Sequence, residues 1–535
     1  MVVAAVMQCP SAAWQELHRI CPARWPEVSV RTDHTMHIAH LMVTPTTIRP
    51  VCLWLFGEAE YHFATLVTEE LDDTWHLTYV FYDPACHGWA YVELQQPLAQ
   101  TSVMSIGDTV HAADWHEREA EDLFGLRFEG HPKLGEFVLH ENWPEGVNPM
   151  RKQFDAHAPF AYHQQKTVWQ PPTIVEAPGA FIMPIGPVYS DFAESAHFVI
   201  ETTGEDMLRV LPRFFYKYRG VEKIAEGKTA DHALLLAERL SGSSAFAHGF
   251  AFCRAMESLC ETEVPPRARV LRSAFAELER LRHHVSVITG ICASTGLAVA
   301  QAQGAIIEED FLRLTAQVCG HRYLFGVLKP GGLTLAPDEQ RLGLLRERVH
   351  ALHTRLEELH TGLRYSSSFL DRLEDVGLIR AEVVKAFGLV GPVARASGST
   401  ADLRKLFRYG AYEQVNFEVP TETQGDGYAR LRILFREAAQ SMAIIERLLD
   451  DVPHGPVSAE VIPRAGAALG FVEAPLGATF HWLRLDAAGR VQRYRVSTPS
   501  FRNWHAFRVA VEHFSFQDFP IVLATFGLSN AECDR

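Results

Sequence analysis

Two serines in the middle of the chain have a spacing that could serve metal chemistry. Ser241 and Ser244 are three residues apart, with Gly242 between them, in the segment Glu238–His248. Cysteines at these positions would form a C-x-x-C motif, which binds soft and borderline metals as thiolates. Neutral hydroxyl groups are poor ligands for such metals. The sequence therefore predicts that this segment does not bind nickel, iron or zinc in that way.

The bulk composition bounds the class of protein. The chain has 535 residues, of which 47% are hydrophobic and 21% charged, as in ordinary globular proteins. This length exceeds that of a single core, so two or three domains are expected. The formal net charge is −15, from 50 basic and 65 acidic residues. Because phosphate binding needs a basic stripe, nucleic acid is not expected as a partner.

The nine cysteines are scattered along the chain and form no C-x-x-C motif. This pattern favours buried free thiols in a reducing compartment, with no iron–sulfur cluster bound by this chain itself. The N-terminus lacks a basic segment before its short apolar run, so no signal peptide is expected. Polar residues interrupt the apolar window Val285–Ile307, which predicts a buried helix and a following loop rather than a membrane span.

The first 125 residues predict a small α+β domain. A short amphipathic helix is expected at Trp14–Ile20, and a second one that begins with Asp114 as its N-cap and ends at Gly125. Alternating or β-branched runs predict strands at Met36–Val43, Pro50–Leu55, Trp75–Tyr82 and Gly88–Leu94.

A linker and a second domain follow. Residues 153–180 contain Pro159, Pro171, Pro172 and Pro178 with little periodicity, which is typical of a linker. Beyond them, strands are predicted at Phe198–Thr203 and within Ala467–Pro499. Helices are predicted at Leu208–Tyr218, Ala230–Leu240, Pro265–His284, Asp310–Phe325, Glu339–Leu363 and Asp426–Leu449.

One long motif in the first domain carries a family resemblance. Trp115–Pro132 reads W-x-E-R-E-x-x-D-L-F-G-x-x-F-x-G-H-P. It resembles the signature of the 30-kDa subunit family of respiratory complex I, which is shared with the matching domain of energy-converting hydrogenases. The segment Asn148–Lys152 resembles the exit segment of that family.

The second domain resembles the large subunit of membrane-bound, energy-converting [NiFe]-hydrogenases and the related 49-kDa subunit of complex I. The resemblance rests on blocks in the family's order: Pro184–Val188, Tyr218–Lys223, Val264–Ala268 with Glu277–Arg280, Gly391–Gly398, Gly425–Asp426, Glu473–Gly477 and Thr498–Phe501. The fused order is similar to the large subunits of formate hydrogenlyase-type complexes. The resemblance implies an α+β domain (1–152), a linker (153–180) and a mainly α-helical, hydrogenase-large-subunit-like domain with a small β element (181–535).

The departures from the family concern its metal site. A [NiFe] site is held by four thiolates from two C-x-x-C motifs, and Leu476 replaces an arginine that lies over the metal. Cys533 is one residue out of register, and the sequence ends at Arg535, where maturing hydrogenases are cleaved, so we expect no removable extension. We therefore predict that no Ni–Fe site is present. The four ligand positions are occupied by Ser241, Ser244, Ser529 and Glu532.

The quinone site of complex I is altered as well. Tyr189 takes the place of the headgroup histidine and Gly242 that of the headgroup tyrosine, so an ordinary quinone is not expected, although Tyr189 could donate a hydrogen bond. Glu532 is a candidate for proton handling, because a carboxylate that faces a dry cavity has a raised pKa. We expect one cavity to be surrounded by Tyr189, Ser241, Ser244, Leu476, Ser529 and Glu532.

Other family residues are retained. Arg239 and His248 match the arginine and histidine that lie beside the proximal [4Fe-4S] cluster of the partner small subunit, where a histidine can couple its protonation to the cluster's charge. A salt-bridged arginine and a hydrogen-bonded core histidine are the structural alternatives. By the same resemblance Glu222 is a candidate proton carrier, so the predicted catalytic residues are Glu222, Tyr189 and Glu532.

The resemblance implies a peripheral subunit of a membrane-bound oxidoreductase complex at the cytoplasmic face of the inner membrane. The implied partners are an iron–sulfur subunit like the 20-kDa subunit of complex I, a ferredoxin-like subunit and antiporter-like membrane subunits. In one interpretation, electrons from the partner cluster reach an acceptor in the altered cavity and drive ion pumping. In another, the chain is a non-catalytic scaffold. A hydrogenase with unusual ligands is the third interpretation.

Overall fold

The computed structural model describes residues 11–85, 88–156, 158, 176, 178–189 and 194–535. The chain forms two compact units, Met1–Trp169 with Lys385–Gly388, and Gln170–Val384 with Leu389–Arg535. The division between them falls inside the predicted linker, residues 153–180. Most of that segment lies outside the described residues, so the linker stays a prediction.

The first unit is built on a five-stranded mixed sheet with the order β1-β2-β5-β4-β3, in which only β2 and β5 pair in parallel. Helix α2 packs against β5 and helix α3 against β3. This arrangement confirms the predicted α+β class. Its elements are α1 (Ser11–Arg24), β1 (Ser29–Asp33), β2 (Ile38–Val43), α2 (Ile48–Gly57), β3 (His62–Leu71), β4 (Thr74–Asp83), β5 (Gly88–Pro97), β6 (Ser102–Met104), α3 (His111–Phe124) and β7 (Arg127–Glu129).

Two predictions for the first unit are wrong in detail. Pro50–Leu55 is not a strand but part of α2, because its buried side chains recur with helical spacing and Pro50 lies in the first turn, where its missing N–H is tolerated. Asp114 lies in the first turn of α3, whose N-cap is Val110. Gly125 ends that helix in the left-handed conformation, as predicted.

The second unit is mainly helical and is organised around the 29-residue helix α7, which packs against α6, α8, α14 and α16. Its first part comprises β8 (Ala180–Ile185), β9 (His197–Thr203), β10 (Asp206–Arg213), α4 (Val221–Ala225), α5 (Ala230–Ala237), α6 (Ala245–Leu259), α7 (Pro266–Ser294), α8 (Ala298–Cys319), β11 (Leu328–Lys329), β12 (Gly332–Leu333) and α9 (Glu339–Arg364).

The rest of the second unit ends in a three-stranded antiparallel sheet, two helices and a tail. This small β element in a mainly helical unit confirms the predicted class. The elements are α10 (Ser367–Leu370), α11 (Ala381–Phe387), α12 (Gly391–Arg395), α13 (Leu403–Leu406), the 3-10 turn Tyr412–Gln414, α14 (Gly427–Asp450), β13 (Gly466–Ala474), β14 (Gly477–Leu485), β15 (Val491–Ser497), α15 (Pro499–Val511), the 3-10 turn Phe516–Asp518 and α16 (Phe519–Phe526).

Three predictions for the second unit need correction. Leu208–Tyr218 is not a helix, since strand β10 pairs with β9 there and buries Met207 and Val210. The helix predicted at Asp310–Phe325 is the second half of α8 and ends at Cys319, because Gly320 takes a left-handed conformation. The window Val285–Ile307 spans the end of α7 and the start of α8, where Val299 is 76% exposed rather than buried. No helix among the described residues is long and apolar enough to cross a membrane.

Buried ion pairs hold α7 to its neighbours. Glu277 on α7 is fully buried and accepts hydrogen bonds from Arg404 at 3.0 Å and from Tyr412 and Ser441. Burial alone would raise the pKa of Glu277, but Arg404 and Arg280 outweigh it and lower that pKa to about 2. The carboxylate therefore stays charged and joins three segments to the central helix.

A second buried carboxylate lies in the first unit. Glu117 on α3 accepts hydrogen bonds from the Tyr79 hydroxyl, the Ser105 hydroxyl and the Ile106 amide. Burial raises the pKa of Glu117 to about 7, and these hydrogen bonds only partly oppose that shift. Protonation of Glu117 therefore favours the folded state.

We expect Glu117→Gln to flatten the pH dependence of the first unit's stability. The stabilisation from protonated Glu117 is fully present below about pH 4.5 and is lost as the pH rises through about 7. At about 1.4 kcal/mol per pKa unit, the wild-type free energy of unfolding should fall by up to about 3 kcal/mol relative to the variant. The free energy of unfolding is measured by urea unfolding at a series of pH values from 4.5 to 8. Pulsed hydrogen exchange of the amides in β3–β5 reports the unfolding of the first unit. Exposed Glu145→Gln is the control, and parallel profiles for wild type and Glu117→Gln would contradict the assignment.

Candidate functional site

The loop before α6 and the C-terminal tail meet through serine hydroxyls. The Ser241 hydroxyl donates to the Ser529 hydroxyl at 3.3 Å, although the two residues are 288 positions apart. Ser243 extends this row, with its hydroxyl oxygen 2.6 Å from that of Ser241. The structure thus brings together the two segments that the sequence singled out.

Arg219 joins the loop and the tail. Its guanidinium donates to the carbonyl oxygens of Arg239 at 2.8 Å and Leu240 at 2.7 Å, which lead into the serine loop. It also donates to the carbonyls of Ala531 at 2.6 Å and Asp534 at 3.0 Å in the tail. One side chain therefore fixes both walls of the site.

Helix α7 holds the serine loop from the other side. Arg282 donates to the carbonyl oxygens of Gly242 at 3.1 Å and Ser243 at 2.8 Å. One turn earlier, Glu279 accepts the Phe246 amide at 2.7 Å in the first turn of α6. Burial raises the pKa of Glu279 to about 7. The loop is therefore positioned by backbone contacts and needs no metal to define it.

Glu194 is a site residue that sequence reasoning missed. Its carboxylate accepts hydrogen bonds from the Ser529 hydroxyl at 3.0 Å and from the amides of Asn530 and Ala531. It ends the hydroxyl row that runs from Ser243 to Ser529. Glu194 belongs to no motif and lies in an irregular segment, so the sequence offers no signal for it.

A cavity of about 530 Å³ lies against this hydroxyl row. An apolar body with a few converging polar groups is typical of small-molecule sites. Its apolar lining includes Phe198, Val287, Trp504, Leu523 and Leu528, and its polar lining includes Tyr189, Glu194, Ser241, Arg282, His283 and Ser529.

Two polar residues of the cavity differ in what they can offer a ligand. The Tyr189 hydroxyl already donates to the Ala196 carbonyl at 2.9 Å. His283 is buried, and its Nδ1 has no hydrogen-bond partner among the described residues. Burial, together with the neighbouring His284 and arginines, holds the pKa of His283 well below its usual range. The imidazole is therefore neutral at pH 7.

Six residues are predicted to surround a single cavity, and three of them line the cavity described above. Tyr189, Ser241 and Ser529 do, whereas Ser244, Leu476 and Glu532 are buried in the surrounding structure. Ser244 is the N-cap residue of α6, and Leu476 lies in the turn between β13 and β14. The expectation of a single cavity around all six is therefore wrong.

Glu532 faces protein groups and not the cavity. One carboxylate oxygen lies 3.4 Å from Nε2 of His248, and the other accepts the Ser500 amide at 3.2 Å. Burial alone would raise the pKa of Glu532, but His248 and the hydrogen bonds from Ser500 outweigh it, so the pKa is lowered. The predicted raised pKa is wrong, because the carboxylate has partners that stabilise its charge.

His248 and Arg239 lie in different environments. His248 is fully buried, and its Nδ1 is 3.1 Å from Nε2 of His481. Arg239 has an exposed side chain, with its guanidinium 5.2 Å from the centre of the Phe325 ring. A place for both residues beside a partner's cluster stays a prediction.

Glu222 anchors the end of the tail. Its buried carboxylate accepts hydrogen bonds from Arg493 at 2.9 Å, Arg495 at 3.3 Å, Arg535 at 3.1 Å and the Val496 amide at 3.0 Å. Burial alone would raise the pKa of Glu222, but the three arginines outweigh it and lower that pKa to about 2. A carboxylate that stays ionised at neutral pH suits an anchor better than a proton carrier, and the predicted proton-carrier role stays a prediction.

The donor set does not fit a [NiFe] centre. The four ligand positions offer three hydroxyls and one carboxylate. Ser241 and Ser529 bond to each other and Ser529 to Glu194, Glu532 faces His248, and the buried Ser244 hydroxyl has no hydrogen-bond partner among the described residues. Among the described residues, no group of three or more His, Cys, Asp and Glu could hold a metal ion. The described cysteines are all buried free thiols, including Cys533.

The fold and the site define a protein of two fused units, in which a serine loop and a tail close one side of a cavity. Residues 41–159 match the family model of the respiratory-chain NADH dehydrogenase 30 Kd subunit. Residues 302–465 and 458–535 match that of the 49 Kd subunit. The chain belongs to the family in which these two complex I domains are fused, as they are in the C/D subunits of NADH-quinone oxidoreductases.

Individual relatives agree with this assignment. The C/D subunit of the NADH-quinone oxidoreductase of Acinetobacter baumannii (strain AYE) is 30% identical over 79% of this chain and 78% of its own length. Formate hydrogenlyase subunit 5 of Escherichia coli (strain K12) is 28% identical over 84% of this chain and 79% of its length. Hydrogenase-4 component G of the same organism is 28% identical over 84% and 78%. The predicted family resemblance is confirmed.

We expect Glu222→Gln to destabilise the second unit by about 3–5 kcal/mol, because it leaves buried guanidinium groups without their counter-charge. Urea unfolding at pH 7 measures the loss, and hydrogen exchange of residues 529–535 should increase. The exposed Glu263→Gln serves as the matched control. Unchanged stability and tail protection in Glu222→Gln would contradict the anchoring role.

Proposed function

We propose that this chain is a subunit of a membrane-bound oxidoreductase complex that couples electron transfer to ion translocation. A partner small subunit, similar to the 20-kDa subunit of complex I, supplies electrons from its [4Fe-4S] cluster. A ferredoxin-like subunit and antiporter-like membrane subunits complete the complex, with this chain peripheral at the cytoplasmic face. The family membership and the names of the relatives support this role.

The cavity beside Ser241 and Ser529 is the observation that carries the proposal. Its volume of about 530 Å³ and its apolar lining suit a small organic acceptor, and the neutral His283 is one of its lining residues. The proposed acceptor accepts electrons in this cavity and contacts the walls formed by the serine loop and the tail. No Ni–Fe centre takes part, and this chain binds no cofactor of its own.

A scaffold role is the second candidate. The hydroxyls of Tyr189, Ser241 and Ser529 all have partners within the chain, which is the arrangement of a site closed on itself. In this case the chain holds the iron–sulfur subunit against the membrane arm and the cavity carries no electron acceptor. The two candidates differ in whether filling the cavity stops electron transfer.

We expect Gly290→Leu to block the cavity without strain. Gly290 lines the cavity on α7, and a Cβ there has no neighbour within 4 Å. A panel of small quinone and non-quinone oxidants is first tested on the wild-type complex, purified through a tag on this chain and reduced with dithionite. With the oxidant that reoxidises the wild-type iron–sulfur cluster fastest, reoxidation in Gly290→Leu should slow at least tenfold, as followed by electron paramagnetic resonance. Gly362→Leu, at an exposed position of α9 with equal room, should behave as wild type. An unchanged rate in Gly290→Leu would favour the scaffold role.

We expect the purified complex to contain no stoichiometric nickel. Hydroxyl and carboxylate oxygens at the four ligand positions do not replace thiolates for nickel and iron. Elemental analysis of the complex should detect iron from the partner's clusters. Because the oxygens are poor nickel ligands, it should give less than about 0.1 nickel atom per complex. One nickel per complex would overturn the proposed absence of a Ni–Fe centre.

A further inference from the structure

Four buried polar side chains in the second unit form a continuous row. The Tyr494 hydroxyl oxygen lies 2.7 Å from Nδ1 of His481, whose Nε2 lies 3.1 Å from Nδ1 of His248. Nε2 of His248 in turn lies 3.4 Å from the Glu532 carboxylate. All four side chains have no solvent exposure. The row joins β15, β14, α6 and the tail.

The row has one consistent direction of hydrogen bonding. Glu532 is ionised and can only accept, so His248 must carry its proton on Nε2 to face it. Nδ1 of His248 then accepts from Nε2–H of His481, and Nδ1 of His481 accepts from the Tyr494 hydroxyl. Neither His248 Nε2 nor the facing Glu532 oxygen has a hydrogen-bond partner among the described residues, and the 3.4 Å between them is an ion-pair contact. Each is therefore available to the other.

The Glu532 end of the row adjoins the cavity wall. The Ser500 amide donates to the Glu532 carboxylate, and the Ser500 hydroxyl accepts the amide of Ser529 at 3.1 Å. The Ser529 hydroxyl belongs to the row that lines the cavity. A charge held on His248 and Glu532 thus lies directly behind the site of the proposed acceptor.

Few other charges face the row. Glu222 and Arg535 act on His481, and Glu222 and the Cys253 thiol act on Tyr494. Burial raises the pKa of Cys253 well above its usual range, so this thiol is neutral. Burial, with the charge of a protonated His248, holds the pKa of His481 well below its usual range. The Glu222 carboxylate is paired with three arginines, whereas the Glu532 carboxylate faces His248 at 3.4 Å. A proton taken up by the row therefore resides on His248.

We propose that His248 and Glu532 store one proton beside the cavity, and that Tyr494 and His481 are positioning residues that relay it. This inference rests on the proposed function for its purpose, which is to balance the charge of an acceptor reduced in the cavity. A proton arrives at the Tyr494 oxygen while the original hydroxyl proton moves to Nδ1 of His481. The Nε2 proton of His481 then moves to Nδ1 of His248. Within these three side chains two bonds to hydrogen break and three form, and the additional hydrogen is the proton of a hydronium ion, which leaves as water. One proton is therefore gained, no electron moves and tyrosine stays neutral.

The test uses nitrogen-15 NMR of histidine side chains in the deuterated full chain, with signals assigned by single replacements. At pH 8, His248 and His481 should both carry their proton on Nε2. On acidification, His248 should become doubly protonated while His481 changes to the Nδ1–H tautomer. The exposed His350 is an internal reference whose titration should be the same in every variant.

Two variants separate the proposal from a structural role. In Glu532→Gln the doubly protonated fraction of His248 at a fixed pH should fall at least tenfold, because the counter-charge is lost. In Tyr494→Phe the tautomer of His481 should no longer be fixed, while Glu532 still faces His248. Hydrogen exchange of residues 529–535 confirms that the tail remains in place.

Two results would overturn the proposal: a His248 proton on Nδ1 at pH 8, or an unchanged titration of His248 in Glu532→Gln. Since the measurement needs no partner, donor or acceptor, its failure leaves the cavity's role intact. Conversely, unchanged reoxidation in Gly290→Leu would remove the proposed acceptor and leave the proton store unaffected.

Discussion

The buried carboxylate of Glu222 is the contact on which the site depends. Three guanidinium groups converge on it, and one of them, Arg535, is in the tail. Burying the Glu222 carboxylate or the guanidinium groups without their partners would cost free energy. The cluster therefore holds the tail in one place. Ser529 and Glu532 gain their positions from that fixed end and from Arg219, which ties the tail to the serine loop. The site is thus held in place by ionic and backbone contacts.

Sequence reasoning found the fold class and the paired segments, but it misplaced elements whose local pattern is ambiguous. Pro50–Leu55 is apolar throughout, and its helical form is decided by packing against β5. The stretch Leu208–Tyr218 contains leucine and arginine, which favour a helix, but Pro212 opposes one, and pairing with β9 makes its first half a strand. A short apolar run fits both the helical period of about 3.6 residues and the strand period of two. Tertiary contacts therefore decide which of the two structures forms.

The site was predictable only where motifs mark it. Ser241 and Ser529 lie at family positions, and the structure joins them. Glu194 and His481 carry no motif, and they reach the site because an irregular segment and a strand pass beside it. Conversely, the blocks around Glu277 and Arg395 are prominent in sequence because they form buried ion pairs with Arg404 and Glu437. These blocks report on the fold of the second unit and not on its chemistry.

Hydroxyls in place of thiolates change what the site can do. A thiolate cluster holds metal and delocalises charge, whereas a hydroxyl row donates and accepts protons and closes on a carboxylate, here Glu194. Glu532, at the fourth of the positions compared with the metal ligands, points away from the cavity and faces His248. The negative charge of Glu532 therefore lies in a buried pair and not at the cavity surface. The proposed electron acceptor in the cavity is then separated from the proposed proton store by one wall of the protein.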